Sequence, residues 1–177
     1  MKTKVKVNIC DQKFTLRTID LNDAEVLRLW KNDHKEFFFC KLEISHEDQK
    51  SWIKSLSERK DDHMFIIMHR EKPIGCIGVR LYQEFADIYN VILGDKEYRG
   101  KHLMTNALKS VVSLCTLIFD NKPVRVRVLR TNPAIKWYEK IGFNIIDYYD
   151  DHVVMQYRTE SINEKYDFDL NITLPLK

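Results

Sequence analysis

No apolar run in this sequence is long enough to cross a bilayer: the longest, Val111 to Phe119, is broken by Ser113 and Thr116 and reaches about half the length required. No membrane partner is expected. The segment Met1-Lys2-Thr3-Lys4-Val5-Lys6-Val7 alternates lysine with apolar residues and lacks the continuous apolar core of a secretory signal, so a cytoplasmic location is expected. Cysteine is scarce and scattered. Cys10, Cys40, Cys76 and Cys115 show neither Cys-x-x-Cys nor Cys/His ligand spacing, which predicts reduced thiols packed as small apolar groups. His34, His46, His63, His69 and His152 do not converge on a metal by spacing, and no chemistry is assigned to them. There is no excess of one charge either: 29 basic and 26 acidic residues leave +3, too balanced to indicate a nucleic-acid partner.

What is present is a chain with enough apolar residues for a core. Of 177 residues, 44% are hydrophobic and 11% aromatic, which predicts one domain over 1–177 with a C-terminal extension from 158. Val5, Val7 and Ile9 and then Phe14, Leu16 and Thr18 alternate around Asp11-Gln12-Lys13, the pattern of a hairpin. Asp20 or Asn22 can cap a helix carrying Ala24, Leu27 and Trp30, and Ser45-His46-Glu47-Asp48 is a capping box before Trp52, Ile53 and Leu56. Met64 to His69 and Ile74 to Tyr82 read as a second hairpin broken by Arg70-Glu71-Lys72-Pro73, with Phe85 to Leu93 pairing beside it. After Gly100, Leu103 to Ile118 follow helical periodicity, and Val124, Val126 and Val128 alternate with Arg125 and Arg127 in a strand. Ile145-Ile146 and Val153 to Tyr157 read as a last pair, Glu160 to Lys165 as a loose connector, and Tyr166 to Leu176 as room for one more strand.

Two segments carry chemistry. Arg99-Gly100-Lys101 lies between an apolar strand and a long helix, where free N–H groups and the helix dipole favour an anion and Gly100 lets backbone approach it. The competing reading is a glycine that merely permits a positive φ. In Asn132 to Phe143, Asn132 suits the N-cap, Pro133 the first helical position and Gly142 the C′ position, with Ala134, Trp137, Tyr138 and Ile141 on the inner face. From this pattern alone Tyr138 is a core tyrosine or a functional one.

Ala86-Asp87-Ile88, Glu97 to Lys101, Asn132-Pro133-Ala134 and Trp137 to Phe143 together resemble the GNAT superfamily of acetyl-CoA-dependent N-acetyltransferases, over roughly Leu16 to Tyr157. The resemblance implies an α/β (mixed α+β) domain with a central, mostly antiparallel sheet, splayed near Val91, and helices on both faces. It implies acetyl-CoA as cosubstrate, no metal, and direct transfer to a primary amine. On the same grounds Arg99, Gly100, Lys101, His102, Leu103, Met104 and Thr105 would hold the pyrophosphate, Val91, Ile92 and Leu93 would pair with the pantetheine, and Asn132 would contact the cofactor. Tyr138 matches the acid that protonates the leaving thiolate, and Asp87 a strand carboxylate used as base; Asp87 could equally pair with Arg125 or Arg127. The chain departs from the family pattern Gln/Arg-x-x-Gly-x-Gly/Ala, since His102 and Met104 stand where small residues belong. Either side chains have changed in a loop of unchanged length, or the loop is shorter by about two residues.

Leu29 to Asp33, Phe37-Phe38-Phe39 and Ile44 to Trp52 are similar to members that acetylate nucleotide-linked amino sugars and to the ribosomal-protein N-terminal acetyltransferases. The small amino sugar is the favoured acceptor and a protein α-amine the alternative, with Phe38, Tyr89 and Asn90 as substrate contacts. The resemblance leaves room for a homodimer. A reading of another class is a catalytically silent module that binds coenzyme A or a protein partner, motivated by the altered loop.

Overall fold

The computed structural model describes residues 6–10, 14–118, 122–158 and 169–173. In chain order these form β1 (Lys6–Cys10), β2 (Thr15–Thr18), α1 (Ala24–Asp33), α2 (His46–Glu58), β3 (Asp62–His69), β4 (Lys72–Leu81), β5 (Ala86–Leu93), α3 (Leu103–Ile118), β6 (Val124–Leu129), α4 (Ala134–Lys140), β7 (Phe143–Tyr148), β8 (His152–Tyr157) and β9 (Asp169–Thr173). The strands make one sheet in the order β7-β8-β6-β5-β4-β3-β2-β1-β9. Neighbours are antiparallel except β5 and β6, which are parallel. This is the mixed, mainly antiparallel α/β architecture expected from the sequence. The expected last strand is β9, paired with β1, while the turn at 11–13 and the connector at 160–165 lie outside the described residues. Among the described residues no helix is long and apolar enough to cross a membrane.

Local signals explain most element starts. The Asp20 carboxylate accepts from the Asn22 N–H at 2.8 Å and the Asp23 carboxylate from the Asp20 N–H at 2.9 Å, a reciprocal cap on the single 3-10 turn from which α1 continues. Ser45 Oγ accepts from the Asp48 N–H at 3.1 Å and opens α2. The turn between β3 and β4 is tighter than its sequence suggests. Arg70, at φ +56°, and Glu71 suffice, so Lys72 and Pro73 belong to β4; Pro73 stands opposite Met68 where the register shifts, a place that demands no N–H from it.

The sheet is covered on both faces, which is why its central strands are continuous apolar runs rather than alternating ones. One face packs Phe65, Ile77, Ile88 and Val126 beneath Leu108 and Val111 of α3 and Tyr138 of α4. The other packs Met64, Ile66, Cys76 and Ile92 beneath Leu27 and Trp30 of α1 and Ile53 and Leu56 of α2. The Trp30 indole lies so close to Gly94 that a Cβ there would come within 2.0 Å of it. That contact docks the C-terminal end of α1 beside the end of β5.

Beyond the cover of α1 and α2, the same face carries charge. Asp62, 2% exposed, accepts from Arg80 Nε at 2.9 Å, from Arg59 at 3.3 Å and from the Tyr89 hydroxyl. Burial, and then the bond to Asp62, push the Tyr89 phenol well above its ordinary pKa. Removing the carboxylate would take the shared acceptor from a part-exposed guanidinium and a half-buried phenol together. Asp62→Ala is therefore expected to cost about 2 kcal/mol of unfolding free energy, read by urea denaturation; a change below about 0.5 kcal/mol would show that the network contributes no net stability.

Candidate functional site

The parallel ladder between β5 and β6 runs through Ala86↔Val124, Asp87↔Arg125 and Ile88↔Val126 and then stops, although both strands continue. On its other side β5 stays paired with β4 as far as Leu93. The edge of Tyr89 to Leu93 that faces β6 therefore has no ladder partner among the described residues. The expected opening near Val91 begins just after Ile88. A bulge helps to bend β5 away: Asn90 and Val91 face a single residue of β4, Asn90 takes φ +47°, and the Cys76 thiol donates to the Asn90 carbonyl at 3.3 Å. Burial pushes that thiol up to about 12, so it keeps its proton and its role as donor.

The opening forms part of a cleft of about 660 Å³. One end is the loop before α3. Gly100 and His102 have φ of +79° and +59°, and the first bond into the helix runs from the Asn106 N–H to the His102 carbonyl at 3.0 Å. The amides of Leu103, Met104 and Thr105 thus form the helix's first turn, with no intrahelical acceptor, at the cleft wall. Left-handed backbone at His102 is the conformation glycine would favour, which agrees with changed side chains in a loop of unchanged length.

Beside it, α4 forms another wall. Asn132 Oδ1 accepts from the Ala134 N–H at 2.9 Å, Pro133 is already helical at φ −63°, and Gly142 follows the helix at φ +110°, as the cap residues predict. α4 is tied to α3 by a 3.1 Å bond from Trp137 Nε1 to Thr105 Oγ1. Tyr138 is 5% exposed and packed edge-on against Trp137 and Phe143, with no hydrogen-bond partner for its hydroxyl among the described residues. Burial raises its pKa, so the phenol keeps its proton.

Asp87 lines the cleft from β5, its carboxylate accepting from Arg127 at 3.2 Å. Burial pushes its pKa above the ordinary carboxylate value, and Arg127 and then Arg80 pull it part-way back. Of the two arginines that the sequence offered as partners, Arg127 is the one used; Arg125 donates to Gln156 at 3.0 Å and lies over Phe85.

The structure brings Asp87, Tyr138, Phe38, Tyr89, Asn90, Val91, Ile92, Leu93, Arg99, Gly100, His102, Leu103, Met104, Thr105 and Asn132 to one cleft. Lys101 is not among the lining residues; its ammonium sits 4.6 Å from the centre of the ring of Tyr98, which is. Sequence reasoning missed His34, Lys96, Tyr98 and the exposed face of Arg127, all of which line it. The signal for His34 is its place four residues after Trp30 at the end of an amphipathic helix. Phe39 reaches from the loop after α1 to stand 5.3 Å from the His152 ring of β8 and 6.0 Å from the Arg127 guanidinium. The base of that loop is closed by Asn32, which exchanges bonds of 2.9 and 3.0 Å with the backbone of Ile44. Among the described residues no three side chains cluster as metal ligands.

Comparison with known proteins gives a consistent result. A model of the acetyltransferase (GNAT) domain matches residues 13–144. An uncharacterised protein of Methanocaldococcus jannaschii is 28% identical over 141 residues, covering 75% of this chain; the chain spans only 28% of that relative's length. Among solved structures, apo FdhC, described as a nucleotide-linked sugar GNAT, shares the fold at TM-score 0.75 and 18% identity, over 93% of each chain. RimL, a ribosomal α-N-protein acetyltransferase in complex with coenzyme A, shares it at TM-score 0.69 and 15% identity, over 84% of this chain and 94% of that one.

Two outcomes follow from the site's geometry. His102→Gly removes a left-handed penalty of about 1–2 kcal/mol and adds a glycine entropy cost of about 0.5–1 kcal/mol, so a gain of about 0.5–1 kcal/mol in urea unfolding is expected. A loss would mean that the His102 side chain makes compensating contacts. For Asp87 the sign follows from its raised pKa: folding disfavours the carboxylate, so its contribution to stability is largest in acid and falls as pH rises from the ordinary carboxylate value through the raised one. The stability of Asp87→Asn relative to the parent should therefore be greater at pH 7 than at about pH 4, as urea titrations at the two values would show.

Proposed function

This chain belongs to the acetyltransferase (GNAT) family, and we propose that it transfers an acetyl group from acetyl-CoA directly to the primary amine of a small molecule, a nucleotide-linked amino sugar. The observation that carries this reading is the joint placement, in one cleft, of the open edge of β5, the first-turn amides of α3 and the unpartnered hydroxyl of Tyr138. The amides suit the coenzyme's pyrophosphate and need only backbone, so they tolerate His102 and Met104 in place of smaller residues. The free edge at Val91 to Leu93 suits the amide groups of the pantetheine arm, which would add to the sheet as a strand does. Tyr138, held neutral by burial, is suited to give its proton to the leaving thiolate.

The acceptor class is argued from charge. Among the described residues Asp87 is the one carboxylate lining the cleft, and beside it the Arg127 side chain is 52% exposed. Such a lining disfavours a polycationic amine and suits an acceptor whose amine is joined to phosphate. Phe37, Phe38 and Phe39 add ring faces for a sugar or base on the same side. A protein α-amine is the second reading.

Calorimetric titration with acetyl-CoA is expected to show saturable one-site binding in the micromolar range, followed by amine-dependent thiol release with UDP-glucosamine as the first acceptor tried. Tyr138→Phe should bind acetyl-CoA as the parent does while losing about 100-fold or more in kcat. No binding at millimolar acetyl-CoA would point to the silent module. Turnover of peptide α-amines in preference to amino sugars would replace the acceptor.

A further inference from the structure

The cleft lacks a free base if Asp87 is committed to Arg127, and one side chain in it meets that need. His34 caps the C-terminal end of α1, its ring lines the cleft, and its Nδ1 lies 2.9 Å from the Trp30 carbonyl oxygen. A carbonyl oxygen can only accept, so Nδ1 must carry the hydrogen, and in the neutral ring the lone pair is left on Nε2. Nε2 has no hydrogen-bond partner among the described residues. The ring is held by a rigid element: Trp30 supplies the carbonyl, is 8% exposed and is seated against Gly94. An imidazole with a fixed tautomer, an unpartnered basic nitrogen and a place beside an acyl-transfer cleft has the attributes of a general base.

We propose that His34 Nε2 is the base that takes a proton from the acceptor ammonium; this rests on the amine-acceptor reading above. The ammonium gives one proton to Nε2, and the neutral amine attacks the thioester carbonyl carbon. A C–N bond forms, the C–S bond breaks, and the sulfur takes the phenolic proton of Tyr138. The new amide nitrogen sheds a second proton, which restores Tyr138 through water, and the imidazolium returns its own to solvent. The sum is one amide, one free thiol and one released proton. Throughout, Nδ1–H keeps its bond to Trp30, so the ring changes charge without turning.

The charged groups that share the cleft with this ring are Asp87 of β5, Lys96 and Arg99 of the segment after it, and Arg127 of β6. On its own segment the charged neighbours are Lys31, Asp33, Lys35 and Glu36, and Tyr89 and Tyr138 are phenols that burial keeps protonated. Among the described residues the other imidazole lining the cleft is His102, on the loop before α3, and residue-resolved NMR separates the two rings.

Two measurements test the assignment. Long-range nitrogen–proton NMR of histidine-labelled protein should show His34 with Nδ1 protonated and Nε2 bare in its neutral form. His34→Asn places an amide N–H where Nδ1–H stood, so it can keep the Trp30 bond while removing the base. It is expected to retain acetyl-CoA affinity and melting temperature, to lose about 100-fold in kcat/KM with UDP-glucosamine, and to lose the rise of kcat/KM with pH that the parent shows. A purely structural His34 predicts parental rates and an unchanged profile in His34→Asn, which would overturn the proposal, as would Nε2 protonated in the neutral ring. If His34→Asn does not fold, the spectrum of the parent decides. Bound acetyl-CoA without thiol release for any amine is instead the failure of the acceptor reading, and the spectrum distinguishes the two.

Discussion

The parting of β5 from β6 after three residue pairs is the constraint on which the rest of this molecule depends. A sheet that opens in its middle leaves backbone donors and acceptors without partners where the neighbouring strand should be, and such groups are costly unless water or a ligand meets them. The opening persists because it is built in from both sides. On one, the bulge at Asn90, fastened by the Cys76 thiol, bends β5. On the other, β6 is held to β8 along its length, so it cannot follow. α4 then sets Tyr138 against the same space, and the bond from Trp137 to Thr105 ties it to α3. A strand edge, a helix N-terminus and a phenol meet because the sheet does not close.

The two faces of the sheet divide the work chemically. The face under α3 and α4 is apolar up to the rim of the cleft, where Tyr138 is desolvated enough to stay protonated. The other face is apolar only under α1 and α2. Beyond them it carries Asp62, Arg80, Asp87, Arg125 and Arg127 on adjacent strands, paired by register or diagonal. The alternation read from the sequence of β6, valine inward and arginine outward, is therefore real, and its outward arginines have named neighbours: Gln156 and Phe85 for Arg125, Asp87 and Phe39 for Arg127.

Features with local causes were legible in the sequence. Asn132, Pro133 and Gly142 bound a helix by their own backbone preferences, and the Ser45 and Asp20 caps need no tertiary contact. The Arg99-Gly100 turn was legible for the same reason, since a glycine before a long amphipathic helix restricts what the backbone can do there. Features that depend on where a loop travels were not. His34 was one of several histidines with no chemistry to assign, because its meaning lies in a carbonyl four residues back and a cleft formed by strands more than fifty residues on. Phe39 was one apolar residue of a triplet until the loop closed by Asn32 carried it across to β8. The contact of Lys101 with the Tyr98 ring was likewise not legible, because it depends on how the turn before α3 folds.

His102 shows how a site tolerates a residue that breaks its pattern. The position asks for positive φ, which costs most side chains about 1–2 kcal/mol, yet the amides that follow it depend on backbone direction alone. Histidine is among the residues that enter this conformation more readily than most, so the loop keeps its course and carries the penalty locally. The burden is of the same kind as the desolvated carboxylate of Asp87 and the unpaired edge of β5. All three lie along one cleft, while the strands behind it, from Met64 to Ile67 in β3 and from Ile74 to Val79 in β4, are buried and paired. That division of strain and support is what a binding cleft in the middle of a sheet requires.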